Sequence, residues 1–268
     1  MGISAMHAAA TGMKAMDTKL NVVANNIANI GTVGFKRSRT NFEDLMYQTL
    51  REPGIKDIND EPNPYGILVG LGAAVSGTQL DFTTGSAEQT TKALDVMIQG
   101  EGFFQVTTYY NGEEITAYTR AGNFFRNANG QLVLGNTDGS LLEPPITLGE
   151  DDRDPEIDAA GRVTALQGAN TERTEVGQIE MARFVNPEGL KSVGKNLYIE
   201  TDASGPPITG NPMENGMGSL LNHTLEMSNV EPVRELVDLI FTQRGFELNS
   251  QSIQGADEML RVVANLRR

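Results

Sequence analysis

Apolar side chains recur at steps of three and four at both ends of this chain, and at steps of two between them. Near the start, Ile3, Met6, Ala10, Met13, Leu20, Ala24 and Ile27 keep the helical step, with Val23 beside them. This spacing predicts an amphipathic helix over residues 1 to about 30. Asp17 breaks the stripe where a heptad wants an apolar group. The adjoining face carries carboxamides, Asn21, Asn25, Asn26 and Asn29. Gly31 is placed to stop the helix as a residue with positive φ. From about residue 229 the same step returns: Val233, Val237 and Ile240 lead on to Ala256, Met259, Val263 and Leu266. Ser228 or Asn229 is placed to cap that second helix, and Pro232 suits its first turn, where a missing N–H costs nothing.

Between the two helices the period falls to two. Short β-branched and aromatic runs are punctuated by Asn111-Gly112, Asn129-Gly130 and Asp138-Gly139, which are strong hairpin signals. The expected fold class is therefore α+β: discontinuous terminal helices forming a coiled-coil-like pair, with an inserted antiparallel β domain and an extended connector. The boundaries drawn are 1–30 with 229–268 for the helical part, 31–80 with 215–228 for the connector, and 81–214 for the β domain.

That layout poses an energetic problem. An isolated helix is marginal in water, and most helical stability in proteins comes from packing. The two ends can pair with each other, but a pair leaves much of both surfaces uncovered. Asn21, Asn25, Asn26, Asn29, Gln243, Asn249, Gln251 and Gln254 tolerate water and can bond across further helix contacts. On this reading the helices are waiting for copies of themselves.

Composition then removes function classes. With 21 basic and 35 acidic residues among 268, the formal net charge is -14. A general nucleic-acid binder needs a basic surface to neutralise phosphates, so that class is set aside. Cysteine is absent and there are two histidines, His7 and His223, so neither a thiolate nucleophile nor a cysteine-ligated metal is expected. The longest weakly polar run, GILVGLGAAVSG at 66–77, is far shorter than the roughly 20 residues of a membrane span. Neither a secretory signal nor direct membrane insertion is expected. The acidic stretch GEDDRDPEID (149–158) lacks the spaced ligands and glycine of a calcium loop and reads as a solvated loop. QGEGFF opens no helix, so it does not read as a phosphate-binding loop. No catalytic residue, cofactor or metal is assigned. Two competing classes are a peptidoglycan-cleaving enzyme, which needs two carboxylates across a cleft, and a free-standing β-domain adhesin, which leaves the helical ends unexplained.

Four stretches carry a resemblance that covers most of the chain, in order. LNVVANNIANIGTVGFKRSRTNFEDLMYQT, ALDVMIQGEGFFQV with AYTRAGNFFRNANGQLV, FVNPEGLKSVGKNLYIET, and LEMSNVEPVRELVDLIFTQRGFELNSQSIQGADEML resemble the flagellar rod and hook proteins of the bacterial axial family. Gly245 and Phe246 stand where that family usually has an Ala-Tyr pair. Length and FEDLMYQTLREPG (42–54) are similar to subunits of the distal rod; the alternative is another rod or hook subunit. The resemblance implies a helical tube that transmits torque as a rigid drive shaft and serves as an export channel. The implied subunit contacts are Ile3, Met6, Met13, Leu20, Val23, Asn25, Asn26, Ile27, Asn29, Val233, Val237, Ile240, Met259, Val263 and Leu266. Gly31 and Gly34 would form the hinge to the β domain. Lys36, Arg37 and Arg39 would meet carboxylates of an adjacent subunit. Phe42, Leu45, Tyr47, Leu50 and Pro53 would belong to a stiffening segment that bridges neighbours. The implied partners are copies of the chain, proximal rod proteins, the hook protein, L-ring and P-ring proteins, the export apparatus and the rod cap, within a basal body spanning the periplasm.

Overall fold

The computed structural model describes residues 2–54, 65–110, 112–168 and 172–266, with only the backbone described at 2, 3, 263 and 266. Its chain parts into two compact units. The first holds residues 1–28, 38–80 and 231–268; the second holds 29–37 and 81–230. Residues 38–80 thus go with the helices and 215–228 with the β domain, whereas the sequence reading joined them in one connector.

In the first unit, helix α1 spans Gly2–Ala28 and helix α2 spans Pro232–Leu266. Between them in sequence run strands β1 (Ser38–Asp44), β2 (Tyr47–Arg51), β3 (Ile67–Gly70) and β4 (Ala73–Leu80). The connector is therefore a two-stranded ribbon. Ser38 pairs with Leu80 at its base, and Arg51 pairs with Ile67 toward its far end. The ladder continues through the break between strands, because Leu45 N–H donates to Gly72 O at 2.9 Å and Leu71 N–H to Met46 O at 3.2 Å. A two-stranded ribbon alone is barely stable in water. Its β1–β4 half packs on α1, whereas β2 is exposed along its whole length. Gly72 explains how the ribbon comes so close. Its φ is +118°, and a Cβ there would lie 2.0 Å from Thr11 Oγ1 on α1.

The second unit is antiparallel β throughout its described strands. The central strands, Phe103–Tyr110 and Glu113–Thr119, pair from Phe104↔Thr119 to Tyr110↔Glu113. Three smaller sheets accompany this large one, including the three strands Asp152–Ile157, Arg162–Gln167 and Arg173–Gln178. One core of Val96, Ile98, Phe104, Val106, Phe124, Leu132, Leu142 and Val163 lies behind them. Gly130 (φ 82°), Gly139 (φ 60°) and Gly112 (φ 88°) sit in the hairpin turns that the dipeptides predict; Asn111 lies outside the described residues. The acidic stretch is structural: Asp152 Oδ2 accepts the Gly149 N–H at 2.7 Å, and Asp158 pairs with Arg162 at 2.8 Å.

Both helix boundaries depart from the sequence reading. α1 stops at Ala28, and Gly31 is not among the residues with positive φ. Its end is set by turn bonds instead, Thr32 N–H to Asn29 O and Phe35 N–H to Thr32 O. At the start of α2 the first helical acceptor is Glu231 O, bonded by Glu235 N–H at 3.0 Å. Ser228 and Asn229 do not cap it. Ser228 Oγ accepts the Val230 N–H, and the Asn229 carboxamide is engaged in the second unit, described below.

Candidate assembly interface

Small and polar residues line much of the seam between α1 and α2, with half-buried Leu239 and Ile253 on the same side of α2. Along α2, Glu235, Asp238, Thr242, Gly245 and Asn249 follow steps of three, four, three and four, and Ala256 lies seven residues on. Glu235, Asp238, Gly245 and Asn249 meet α1 in antiparallel order, and Thr242 and Ala256 are buried on the same side. Asn26 Nδ2 donates to Glu235 Oε2 at 3.2 Å, and Lys19 Nζ lies 3.9 Å from Asp238. A Cβ on Gly245 would touch the Met16 sulfur at 3.4 Å, and one on Gly12 would lie 3.0 Å from Asn249. Asn26 does more than join the helices. Its Nδ2 also donates to Ser38 O at 2.8 Å, and its Oδ1 accepts the Ser38 N–H at 3.0 Å. It therefore brackets the ribbon's first residue to the helix pair. At 1% exposure, its side chain is spent inside the chain and not offered to a neighbour.

Another set of apolar side chains on α2 lies away from the seam. Val233, Leu236, Val237, Ile240, Phe241 and Leu248 are 45–76% exposed, as is Met259 at 63%. At about 100° per residue, Val233, Leu236, Val237 and Ile240 fall roughly opposite the seam, and Phe241, Leu248 and Met259 fall to one side of it. Helices in soluble proteins ordinarily do the reverse, turning the apolar stripe inward. On α1, Met6, Met13, Leu20 and Ile27 are half-buried and form a column at seven-residue spacing, while Val23 is buried and Asn25 is exposed. Asn29 is half-buried and accepts from Thr32 Oγ1. The side chains of Ile3, Val263 and Leu266 lie outside the described residues. Phe42, Met46, Tyr47, Leu50 and Tyr65 are exposed on the ribbon, Leu45 is half-buried beside α1, and Pro53 is exposed in a turn.

A different arrangement replaces the expected basic patch. Lys36 is fully buried in the second unit, with Nζ 2.6 Å from Glu226 Oε1 and 2.7 Å from Thr83 O. It is paired within its own chain, which corrects the expected pairing with an adjacent subunit. Burial pushes the Lys36 ammonium pKa down, with Glu226 pulling the other way. Arg39 bonds Gln79 across the ribbon, and Arg37 N–H donates to Asn229 Oδ1 at 2.8 Å. Of the two hinge glycines, Gly34 has φ +70°, and a Cβ there would meet Ala121 N at 2.5 Å. Its N–H donates to Glu226 O at 2.8 Å. Gly34 is a pinned elbow, whereas nothing lies within 4 Å of a Cβ built on Gly31. Sequence reasoning missed the carboxylates in this set, Glu226 and Glu235. Both lie inside the last of the four quoted stretches.

A helix pair that leaves Val233, Leu236, Val237, Ile240 and Phe241 largely in solvent has the layout of a subunit that packs against further helices. Comparison with known proteins supplies the family. Residues 6–36 match the flagella basal body rod protein family, 97–165 the flagellar hook protein FlgE/F/G D1 domain, and 221–266 the flagellar basal body rod FlgEFG protein C-terminal family. The flagellar basal-body rod protein FlgG of Agrobacterium fabrum is 43% identical over 97% of this chain and 98% of its own. FlgG of Caulobacter vibrioides is 41% identical over 99% and 100%, and FlgG of Borreliella burgdorferi 39% over 98% and 98%. The solved flagellar hook protein FlgE2 of Helicobacter pylori is 15% identical with a TM-score of 0.25; the likeness covers 71% of this chain and 43% of that one. On the strength of the sequence relatives, the chain belongs to the flagellar basal-body rod protein family.

Proposed function

We propose that this chain is a structural subunit of the distal rod, polymerising through α1 and α2 into a helical tube. Its apolar outer face on α2 carries the reading. Large exposed apolar patches mark interaction sites, and the row from Val233 to Leu248 puts six apolar side chains, each 45–76% exposed, on one helix. Burial against neighbouring copies removes it from water. Met6, Met13, Leu20 and Ile27 flank the pair and extend the contact, while Asn25 and Asn29 suit wetter parts of the wall. Gly31 gives the freedom to bend and Gly34 the fixed elbow that follows it.

The tube acts as a drive shaft carrying motor torque toward the hook and as a conduit for export. Its partners are copies of itself, proximal rod proteins, the hook protein, the L-ring and P-ring proteins, the export apparatus and the rod cap. The ribbon, with Phe42, Leu45, Tyr47, Leu50 and Pro53, bridges neighbours and opposes the sliding that bending requires. The rod lies in the basal body across the periplasm, and no described helix is long and apolar enough to cross a membrane. The chain acts by assembling, not by catalysis. Concentrated protein imaged by electron microscopy and incubated with peptidoglycan tests this: tubes without cleavage support it, and cleavage by a chain that stays monomeric refutes it.

A further inference from the structure

The chain passes between its two units at 28/29, 37/38, 80/81 and 230/231. In the second unit, the three segments that begin or end at these points converge on two side chains. The Glu226 carboxylate takes Lys36 Nζ at 2.6 Å and Gly85 N–H at 2.9 Å on one oxygen, and its own carbonyl accepts the Gly34 N–H at 2.8 Å. The other oxygen lies 3.5 Å from Arg120, which is itself tied to Gly100 O at 2.9 Å. Three residues on, Asn229 Oδ1 accepts the Arg37 N–H, and its Nδ2 donates to Asp81 O at 2.8 Å and to Thr83 Oγ1 at 3.0 Å. Glu226 is fully buried, as is Lys36, and Arg120 is 3% exposed.

We propose that Glu226 is the positioning residue that holds segments 34–37, 81–85 and 226–229, which lead to three of these passages, in one register within the β unit. An apolar residue would fill the space as well, and buried ion pairs are often no more stabilising than apolar substitutes of the same volume. What the carboxylate adds is direction. The Lys36 and Gly85 bonds and the Arg120 ion pair form together only with the segments 34–37, 81–85 and 226–229 in this register. At its centre two cations share one carboxylate, with Asp81 acting on Lys36 and Glu101 on Arg120 from farther out. Neutralising Lys36 leaves a matched Arg120–Glu226 pair, whereas neutralising Glu226 leaves two buried like charges. The two changes therefore have unequal and coupled effects.

The test uses the full chain with Glu226→Gln, Lys36→Met and both together, read by amide exchange in the monomer and by electron microscopy of the polymer. In Glu226→Gln, the amides of Gly34, Arg37 and Gly85 are expected to exchange about tenfold faster or more, while those of Val106 and Ala117 in the central sheet change less than about twofold. Adding Lys36→Met recovers part of that loss, because it removes one uncompensated cation. Unchanged exchange at the three passages overturns the proposal, as does an equal rise in the central sheet or a double variant no better than Glu226→Gln. The polymer arm rests on the function proposed above. Tubes that form but bend are expected; tubes as straight as the parent, with the passages loosened, overturn the mechanical consequence. A parent that forms no tubes refutes the assembly reading and leaves the exchange result to judge Glu226.

Discussion

Replacing Ile240 with Asp should separate folding from assembly. In the isolated chain Ile240 is 57% exposed on the outer face of α2. The monomer should therefore lose no more than about 0.5 kcal/mol, as for ordinary surface changes. Assembly is different. Burying an isoleucine side chain completely contributes about 1.5–3 kcal/mol, so the exposed share leaves about 1–1.5 kcal/mol to be gained in the polymer. The aspartate forfeits that and must also bury a carboxylate, which costs a few kcal/mol unless a partner is found. Together about 4 kcal/mol is lost per contact, which corresponds to a rise of roughly a thousandfold in the concentration needed to polymerise. Val23→Asp is the matching control. Val23 is 4% exposed in the monomer, so the same chemistry there should unfold the helix pair itself. Circular dichroism melts of dilute protein and sedimentation of concentrated protein distinguish the two sites. The reasoning fails if Ile240→Asp polymerises at the parent's concentration, or if it melts the monomer as Val23→Asp does.

Three further outcomes are expected. Gly72→Ala should cost about 1–3 kcal/mol, because φ is +118° and the new methyl would lie 2.0 Å from Thr11 Oγ1; Gly255→Ala, with nothing within 4 Å, should instead gain up to about 1 kcal/mol of helix stability, both read from denaturant midpoints. Burial, with Glu200 and Glu143 adding to it, pushes the Tyr118 phenol up to about 12 from 10.0. A raised folded pKa gives stability that is full below pH 10 and lost as pH climbs toward 12, so Tyr118→Phe should flatten the fall in melting temperature over that window. Excising residues 47–70 and closing the ribbon with an Asn-Gly turn after Met46, whose carbonyl bonds Leu71 N–H, should leave tubes that form but bend in micrographs; tubes as straight as the parent would reduce the ribbon tip to a tether.

The two helices were legible because period-3.6 spacing survives in Met6, Met13, Leu20 and Ile27 and again in Val233, Val237 and Ile240. The hairpins were legible because Asn-Gly and Asp-Gly demand positive φ at the turn. Which side of α2 faces α1 was not, since periodicity reports that a stripe exists and not what covers it. Here the seam belongs to Glu235, Thr242 and Gly245, residues that read as a solvated face. The ribbon was missed as well, because its strands run from Ser38 to Leu80 around a stretch rich in turn residues and carry no clean alternation. The Lys36–Glu226 pair spans 190 residues, and no local pattern signals a contact at that separation. A basic run such as Lys36-Arg37 ordinarily marks a solvated turn, so a buried lysine was the least expected place for it.

Electron cryomicroscopy of the assembled polymer bears most directly on the outer face of α2. The expected result is a helical tube in which Val233, Val237 and Ile240 are buried against neighbouring copies, while Asn26 and Glu235 stay bonded inside each chain. A polymer that leaves those three side chains in solvent, or a chain that remains monomeric at high concentration with them exposed, would contradict assembly through that face.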